Sequence, residues 1–340
     1  MNLHDRLLDA LRSIATVRLV AALRDDRLNF PDPDDLRVFI PDIHLVSAER
    51  RQQAGFLYDS NFLPLLRTVV ESLRALKRSA GPGERMVVYQ IGDLFDLWRE
   101  SDGLDPDLDV AAGIKDSHED LVGSLMDPDL NMQFLLGNHD YDLFRFANFS
   151  AWERYFCLSP AVILLHGDIF DWAEKFPLAL KDLVVFLFSP HVRPSTAQLE
   201  RMRPLNQHMR GNRTFTSFVQ NESAAPIGLS RDTGHVPQSW NVQVEGVAAD
   251  SMLTYLDAAR QKCREADQQF GTALRVAVIG HTHHARIAVR ESAGDFFALI
   301  DCGAWIENCK TADDPTPQPN AQIAALGANE ARIYQLAPRP

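Results

Sequence analysis

Five short polar clusters, each standing directly after a run of apolar and β-branched residues, constrain this chain more than any other feature of its 340-residue sequence. Leu36 to Ile40 leads into Asp42-Ile43-His44, and Met86 to Ile91 into Gly92-Asp93-Leu94-Phe95-Asp96. Met132 to Leu136 leads into Gly137-Asn138-His139-Asp140, Ala161 to Leu165 into His166-Gly167-Asp168, and Leu274 to Ile279 into Gly280-His281-Thr282-His283. Short apolar runs bounded by turn residues read as buried strands. Phe62 to Leu76 has apolar residues at three- and four-residue spacing, as a crossover helix requires, and the polar stretch Asp109 to Leu125 also reads as helical. The pattern is that of an α/β protein, in which parallel packing brings all five loops to one edge of the sheet, where such folds place their chemistry. Further strands are expected at Arg286 to Val289 and Phe296 to Ile300.

Two segments fall outside the alternation. Leu3, Leu7, Leu11, Ile14, Val17 and Val20 lie at helical spacing, so residues 1–35 read as an N-terminal helical extension of a domain spanning 36–340. Asp5, Arg6, Asp9 and Arg12 interrupt that apolar face, which argues against a cleaved signal peptide. Packing on the core is its expected role, with peripheral membrane contact the alternative. From about 170 to 246 the alternation disappears. Phe170, Trp172, Phe176, Phe186 and Phe188 come first, then Arg193, Arg201, Arg203, Arg210 and Arg213, with Glu200 the one acid among the arginines. This segment reads as a cap-like insertion whose arginines face phosphate, or as a subsidiary core with a solvated cationic face.

Charge and cysteine content narrow the setting. A formal net charge of −12 repels nucleic acid and anionic surfaces, so no nucleic-acid partner is expected. Cys157, Cys263, Cys302 and Cys309 form no Cys-x-x-Cys pair, which points to a reducing compartment and hence to the cytoplasm, or the inner face of a membrane. No apolar run approaches the ~18 residues that a transmembrane helix needs.

A lone Asp-x-His or a lone histidine carries little information. Together, Asp42, His44, Asp93, Asn138, His166, His281 and His283 supply seven nitrogen and oxygen donors, enough to hold two divalent ions with Asp93 shared; burying so many polar groups without such ions would leave costly unpaired charge. Gly92, Gly137 and Gly280 precede ligands where a sharp turn and close backbone approach are needed. Imidazole donors disfavour calcium and magnesium, which leaves manganese as first choice, with iron or zinc also fitting. Two metals about 3.5 to 4 Å apart lower the pKa of a shared water towards ~7, making hydroxide available as a nucleophile. His284 reads as a neighbour pointing away, and Asp140 and Asp168 as supporting or capping residues.

In order and spacing, these clusters resemble the signature of the calcineurin-like metallophosphoesterase superfamily over residues 36 to 303. The resemblance implies a four-layer α-β-β-α sandwich of two mixed sheets. It also implies a first metal held by Asp42, His44, Asp93 and His283 and a second by Asp93, Asn138, His166 and His281. His139 matches the family residue that protonates or stabilises the leaving oxygen, and Asp96 the carboxylate that orients it. Leu97 stands where the protein-phosphatase branch carries arginine, which disfavours a protein phosphatase. Gly-Asp-Leu-Phe-Asp-Leu-Trp, ending at Trp98, and Asp301-Cys-Gly-Ala-Trp-Ile-Glu307 are instead similar to the branch of UDP-2,3-diacylglucosamine hydrolases. That branch implies pyrophosphate cleavage in a nucleotide-linked lipid precursor, with Trp98, Arg201, Arg203 and Arg210 as candidate substrate contacts. A phosphodiesterase or phosphomonoesterase acting on nucleotides or other small molecules is the alternative. A non-catalytic scaffold of the same fold is the alternative of another class, though such scaffolds lose ligands and all seven positions are filled here.

Overall fold

The computed structural model describes residues 2–28, 35–48, 62–97, 108–140, 143, 149, 151–168, 170, 241–246, 249–292, 295–309 and 318–339. In chain order these form helix α1 (Leu3–Ile14), strands β1 (Thr16–Arg24) and β2 (Asp35–Ile40), helix α2 (Phe62–Arg78), strand β3 (Arg85–Ile91) and helices α3 (Leu108–Ser117) and α4 (Glu119–Leu125). Strands β4 (Gln133–Leu135), β5 (Tyr155–Ser159), β6 (Val162–Leu165) and β7 (Asn241–Gly246) follow, then helix α5 (Ala249–Phe270). Strands β8 (Val276–Ile279), β9 (Ala285–Ser292), β10 (Asp295–Cys302), β11 (Trp305–Cys309), β12 (Gln318–Leu326) and β13 (Glu330–Ala337) complete the chain.

The strands make two mixed sheets. The first runs β1-β13-β12-β2-β3-β4, with β11 paired to β12, and the second runs β5-β6-β8-β10-β9-β7. Within them β2, β3 and β4 are parallel neighbours, as are β6, β8 and β10. The single sheet edge expected from the alternation is therefore two edges, because β6 and β8 pair with each other rather than with β2, β3 or β4.

Side-chain alternation along each strand explains how the sheets are buried on both faces. Leu36, Val38 and Ile40 of β2 join a core with Leu3, Leu7 and Leu11 of α1 and Leu66, Val69 and Leu73 of α2, whereas Phe39 points the other way. Phe39, Tyr89 and Ile91 of the first sheet meet Val162, Leu164, Val276, Val278 and Ile300 of the second. Ile163, Ala277, Ile279 and Leu299 on the second sheet's remaining face pack with Leu256, Ala259 and Cys263 of α5. No helix among the described residues is long and apolar enough to cross a membrane.

The N-terminus differs from its expected form. Helix α1 is capped by the Asn2 side chain, which accepts from the Asp5 N–H at 2.8 Å, but it ends at Ile14, and Val17 and Val20 lie in β1. β1 pairs antiparallel with β13 over Thr16↔Ala337 to Arg24↔Glu330, so its partner arrives from the far end of the chain, where no local periodicity can register it. The apolar face of α1 is buried in protein: Leu7 and Leu11 are 0% exposed, as expected of a helix that packs on the core. The proposed insertion at 170–246 lies outside the described residues except for Phe170, packed in the α5 core, and β7, which pairs antiparallel with β9.

Candidate metal centre

The five loops meet at the C-terminal ends of the parallel strands: those after β2, β3 and β4 from the first sheet, those after β6 and β8 from the second. The His281 N–H donates to Asp42 Oδ2 at 2.9 Å, joining the first and last clusters in sequence, and the Gly280 N–H donates to the His166 carbonyl at 2.9 Å. All seven proposed ligands are buried, Asp42 and His44 completely.

Three groups of donors lie within this cluster among the described residues. Asp42, His44 and His283 each offer a donor atom within 4.8 Å of the others, and so do Asp93, His166 and His281; His44, Asp96 and His139 form a third group that overlaps the first at His44. His283 Nε2 lies 3.0 Å from His44 Nε2 and 3.3 Å from Asp42 Oδ2. His166 Nε2 lies 3.0 Å from Asn138 Oδ1 and 3.2 Å from Asp93 Oδ2, while the same Asp93 oxygen stands 3.7 Å from His44 Nε2. Asp93 therefore sits between the first two groups. His284 belongs to none of the metal-capable groups among the described residues.

The imidazoles are aimed by their second nitrogens, as metal ligands usually are. His166 Nδ1 is 2.9 Å from the Ile91 carbonyl, which can only accept, so Nδ1 donates there and Nε2 is the nitrogen directed at Asn138 Oδ1 and Asp93 Oδ2. Asp96 stands beside two rings: its Oδ1 lies 2.9 Å from His139 Nδ1, within hydrogen-bond distance, and its Oδ2 lies 3.3 Å from His44 Nδ1 as a charge contact without a hydrogen bond; sequence reasoning assigned it only the first. His44 Nε2 and His283 Nε2 face each other at 3.0 Å, a separation that needs a proton or a cation between them.

Electrostatics follow from burial and from these neighbours. Burial pushes the Asp93 and Asp42 carboxyls up, but the surrounding imidazoles, His166 foremost, outweigh it and hold both below the usual carboxylate range. Burial alone would lower His166, yet Asp93 and Asp42 raise it well above an ordinary histidine. His44 is lowered to about 4, chiefly by burial. Asp140 is pushed up to about 8 by burial and then by Asp93. Its carboxylate accepts the Leu94 N–H at 2.8 Å and the Gly137 N–H at 2.7 Å, tying the second cluster to the third as a supporting group.

Backbone geometry also marks the site. His44, Asp93, His281 and His283 have φ of 56°, 53°, 67° and 59°, the left-handed region that non-glycine residues seldom occupy and that clusters at functional sites. A Cβ on Gly280 would lie 2.3 Å from Asp42 Oδ1, and one on Gly137 would lie 2.1 Å from Asp93 Oδ1, so the expected close approach at both glycines is present. At Gly92 the obstructing group is the His166 ring, 2.5 Å from such a Cβ, and φ is 97°.

A metal fits these residues. The donor set is imidazole, carboxylate and amide oxygen, and Asp42 Oδ1 and Asn138 Nδ2 are buried without a hydrogen-bond partner, an expensive state for a polar atom unless charge is supplied nearby. Behind Asp42, Asp301 to Glu307 serves as a brace: the Trp305 N–H donates to the Asp42 carbonyl at 2.7 Å, and the Ala304 N–H donates to Gln322 Oε1 at 2.9 Å. Trp98, Arg201, Arg203 and Arg210 lie outside the described residues. Cys157, Cys263 and Cys302 are free thiols. No model of a known protein family matches this sequence, and no curated protein matches it.

Proposed function

We propose that this chain is a dinuclear metal-dependent phosphoesterase of the calcineurin-like superfamily, hydrolysing a phosphoester or pyrophosphate bond. The observation that carries the reading is the convergence of seven buried donors from five loops, with Asp93 Oδ2 3.2 Å from His166 Nε2 and 3.7 Å from His44 Nε2. The apolar cores support the fold assignment, since one between the sheets and one on the helical side of each are what a four-layer α-β-β-α sandwich requires.

Asp42, His44, Asp93 and His283 would hold one divalent ion, and Asp93, Asn138, His166 and His281 the other, with manganese preferred. When bound, such ions acidify water and neutralise charge on the phosphoryl oxygens. The remaining work belongs to the chain. His139, its Nδ1 proton committed to Asp96 at 2.9 Å, would in its doubly protonated form present Nε2–H as the group that protonates the leaving oxygen, leaving the neutral imidazole behind. The His139 N–H donates to Asp93 Oδ1 at 2.8 Å, which couples the acid's placement to that of the shared ligand. A nucleotide-linked lipid precursor is the proposed substrate class, resting on the Gly92 to Trp98 and Asp301 to Glu307 strings.

Metal analysis of the purified protein, joined to a panel of lipid-linked UDP sugars, nucleoside diphosphates, cyclic nucleotides and chromogenic phosphodiesters, tests the reading. Close to two equivalents of transition metal and a large preference for pyrophosphates are expected, with Asp93→Ala inactive. A protein with no affinity for divalent metal, or an Asp93→Ala variant of normal rate, would sink it.

A further inference from the structure

Strand order places one buried network directly beneath the last ligand loop. β8 and β9 both pair with β10, on opposite sides of it, so the connection Gly280–His284 arches over the C-terminal end of β10. Asp301 stands at that end, opposite Ile279 on one side and Arg286 on the other. The Thr282 hydroxyl, at the centre of the arch, donates to Asp301 Oδ2 at 2.5 Å, and Arg286 Nε donates to the same oxygen at 3.1 Å. Asp301 is 0% exposed and Arg286 2%. The Thr282 hydroxyl also accepts the His284 N–H at 3.2 Å, and the Thr282 N–H donates to the Gly280 carbonyl at 2.7 Å.

Thr282 is flanked by His281 and His283, whose φ of 67° and 59° are left-handed. Such a backbone persists only where its surroundings over-determine it. These two residues fall into different donor sets, one with Asp93 and His166 and one with Asp42 and His44. A single side-chain anchor between them therefore bears on both halves of the centre.

We infer that Thr282, held by Asp301 and Arg286, is a positioning residue that keeps His281 and His283 aimed at two metals. The inference rests on the proposed dinuclear centre. Thr282 touches no reacting atom; it acts through the ligands on either side. Removing its hydroxyl frees the arch to relax towards ordinary φ and turns both imidazoles away, and losses of about 10- to 100-fold in metal affinity are typical when the partners of metal ligands are removed.

Calorimetric titration of metal-free full-length protein with Mn2+ alone, with melting of the same metal-free samples, provides the test. Thr282→Val, which keeps the shape and loses the hydroxyl, is expected to bind Mn2+ about 10- to 100-fold more weakly, with both equivalents affected. Thr282→Ser restores wild-type affinity. Metal-free melting reads the separate cost of the lost buried hydrogen bond, so a lowered melting temperature with unchanged Mn2+ affinity would mark a merely structural hydroxyl. Unchanged Mn2+ affinity in folded Thr282→Val overturns the inference while leaving the dinuclear centre standing. Wild-type protein that binds no Mn2+ overturns both. Should Thr282→Val not fold, Thr282→Ala removes the same hydroxyl with less bulk in the arch, and the same two outcomes decide.

Discussion

Gly137→Ala isolates ligand placement from ligand identity, because it removes no donor atom. A methyl at 137 would stand 2.1 Å from Asp93 Oδ1 and 2.4 Å from the Asp93 backbone nitrogen. Rotating the Asp93 side chain relieves only the first clash, so backbone and carboxylate must retreat together, by about 1 Å to reach ordinary contact. Misplacement on that scale costs about 10²-fold in rate, or ~2.7 kcal/mol of transition-state stabilisation. Overpacking adds about 1–3 kcal/mol of destabilisation. Gly123→Ala in α4 is the control: nothing lies within 4 Å of its added methyl, and there alanine should stabilise the helix by about 0.5–1 kcal/mol. The assay is kcat/KM for a chromogenic phosphodiester at saturating Mn2+, together with Mn2+ affinity and thermal melting. A folded Gly137→Ala protein with wild-type Mn2+ affinity and wild-type kcat/KM would refute the reasoning, since Asp93 could then shift by an ångström without consequence.

Three further predictions follow from the same geometry. Asp96→Asn removes the negative charge that lies 2.9 Å from His139 Nδ1 and 3.3 Å from His44 Nδ1, so both Mn2+ affinity and kcat should fall, each by about 10-fold or more, whereas loss of kcat alone would mean that the 3.3 Å contact with His44 does no aiming. His139→Ala should cost about 10²- to 10⁴-fold for a substrate with an alkoxide leaving group and far less for p-nitrophenolate, which needs no proton; equal losses for the two would remove His139 from the leaving-group step. His4, 6% exposed and lowered to about 4 by burial and then by Arg332, stays neutral in the fold, while the unfolded chain takes up its proton below about 6.5. Its contribution is therefore complete above pH 6.5 and is lost as pH falls towards 4, by up to about 3 kcal/mol, which denaturant titrations across that window would reveal as a steeper slope in the wild type than in His4→Leu; equal slopes would refute it.

Much of the site was legible in the order of residues because its ligands follow strands that announce themselves. Val38-Phe-Ile40, Val87-Val-Tyr89 and Val276-Ala-Val-Ile279 are short, apolar and β-branched, and each ends on a turn whose polar residues have no structural excuse. The amphipathic face of α2 was equally plain. What misled at the N-terminus was a helical spacing that ran on through Val17 and Val20; β1 is a strand because it finds β13 across most of the chain's length. Contacts of that kind leave no local periodicity to read.

The sequence by itself determined which atoms can coordinate and where along the chain each must stand, since donor chemistry and strand propensity are properties of residues and their near neighbours. Only the tertiary structure decided which strands pair, so that the loops after β2, β3 and β4 belong to one sheet and those after β6 and β8 to the other. The same holds for Asp96 standing beside His44 as well as His139, and for Thr282 resting on an aspartate 19 positions away. Those facts depend on strand pairing and on buried polar atoms needing partners in three dimensions, and both are settled when sheets pack, not when residues are strung together.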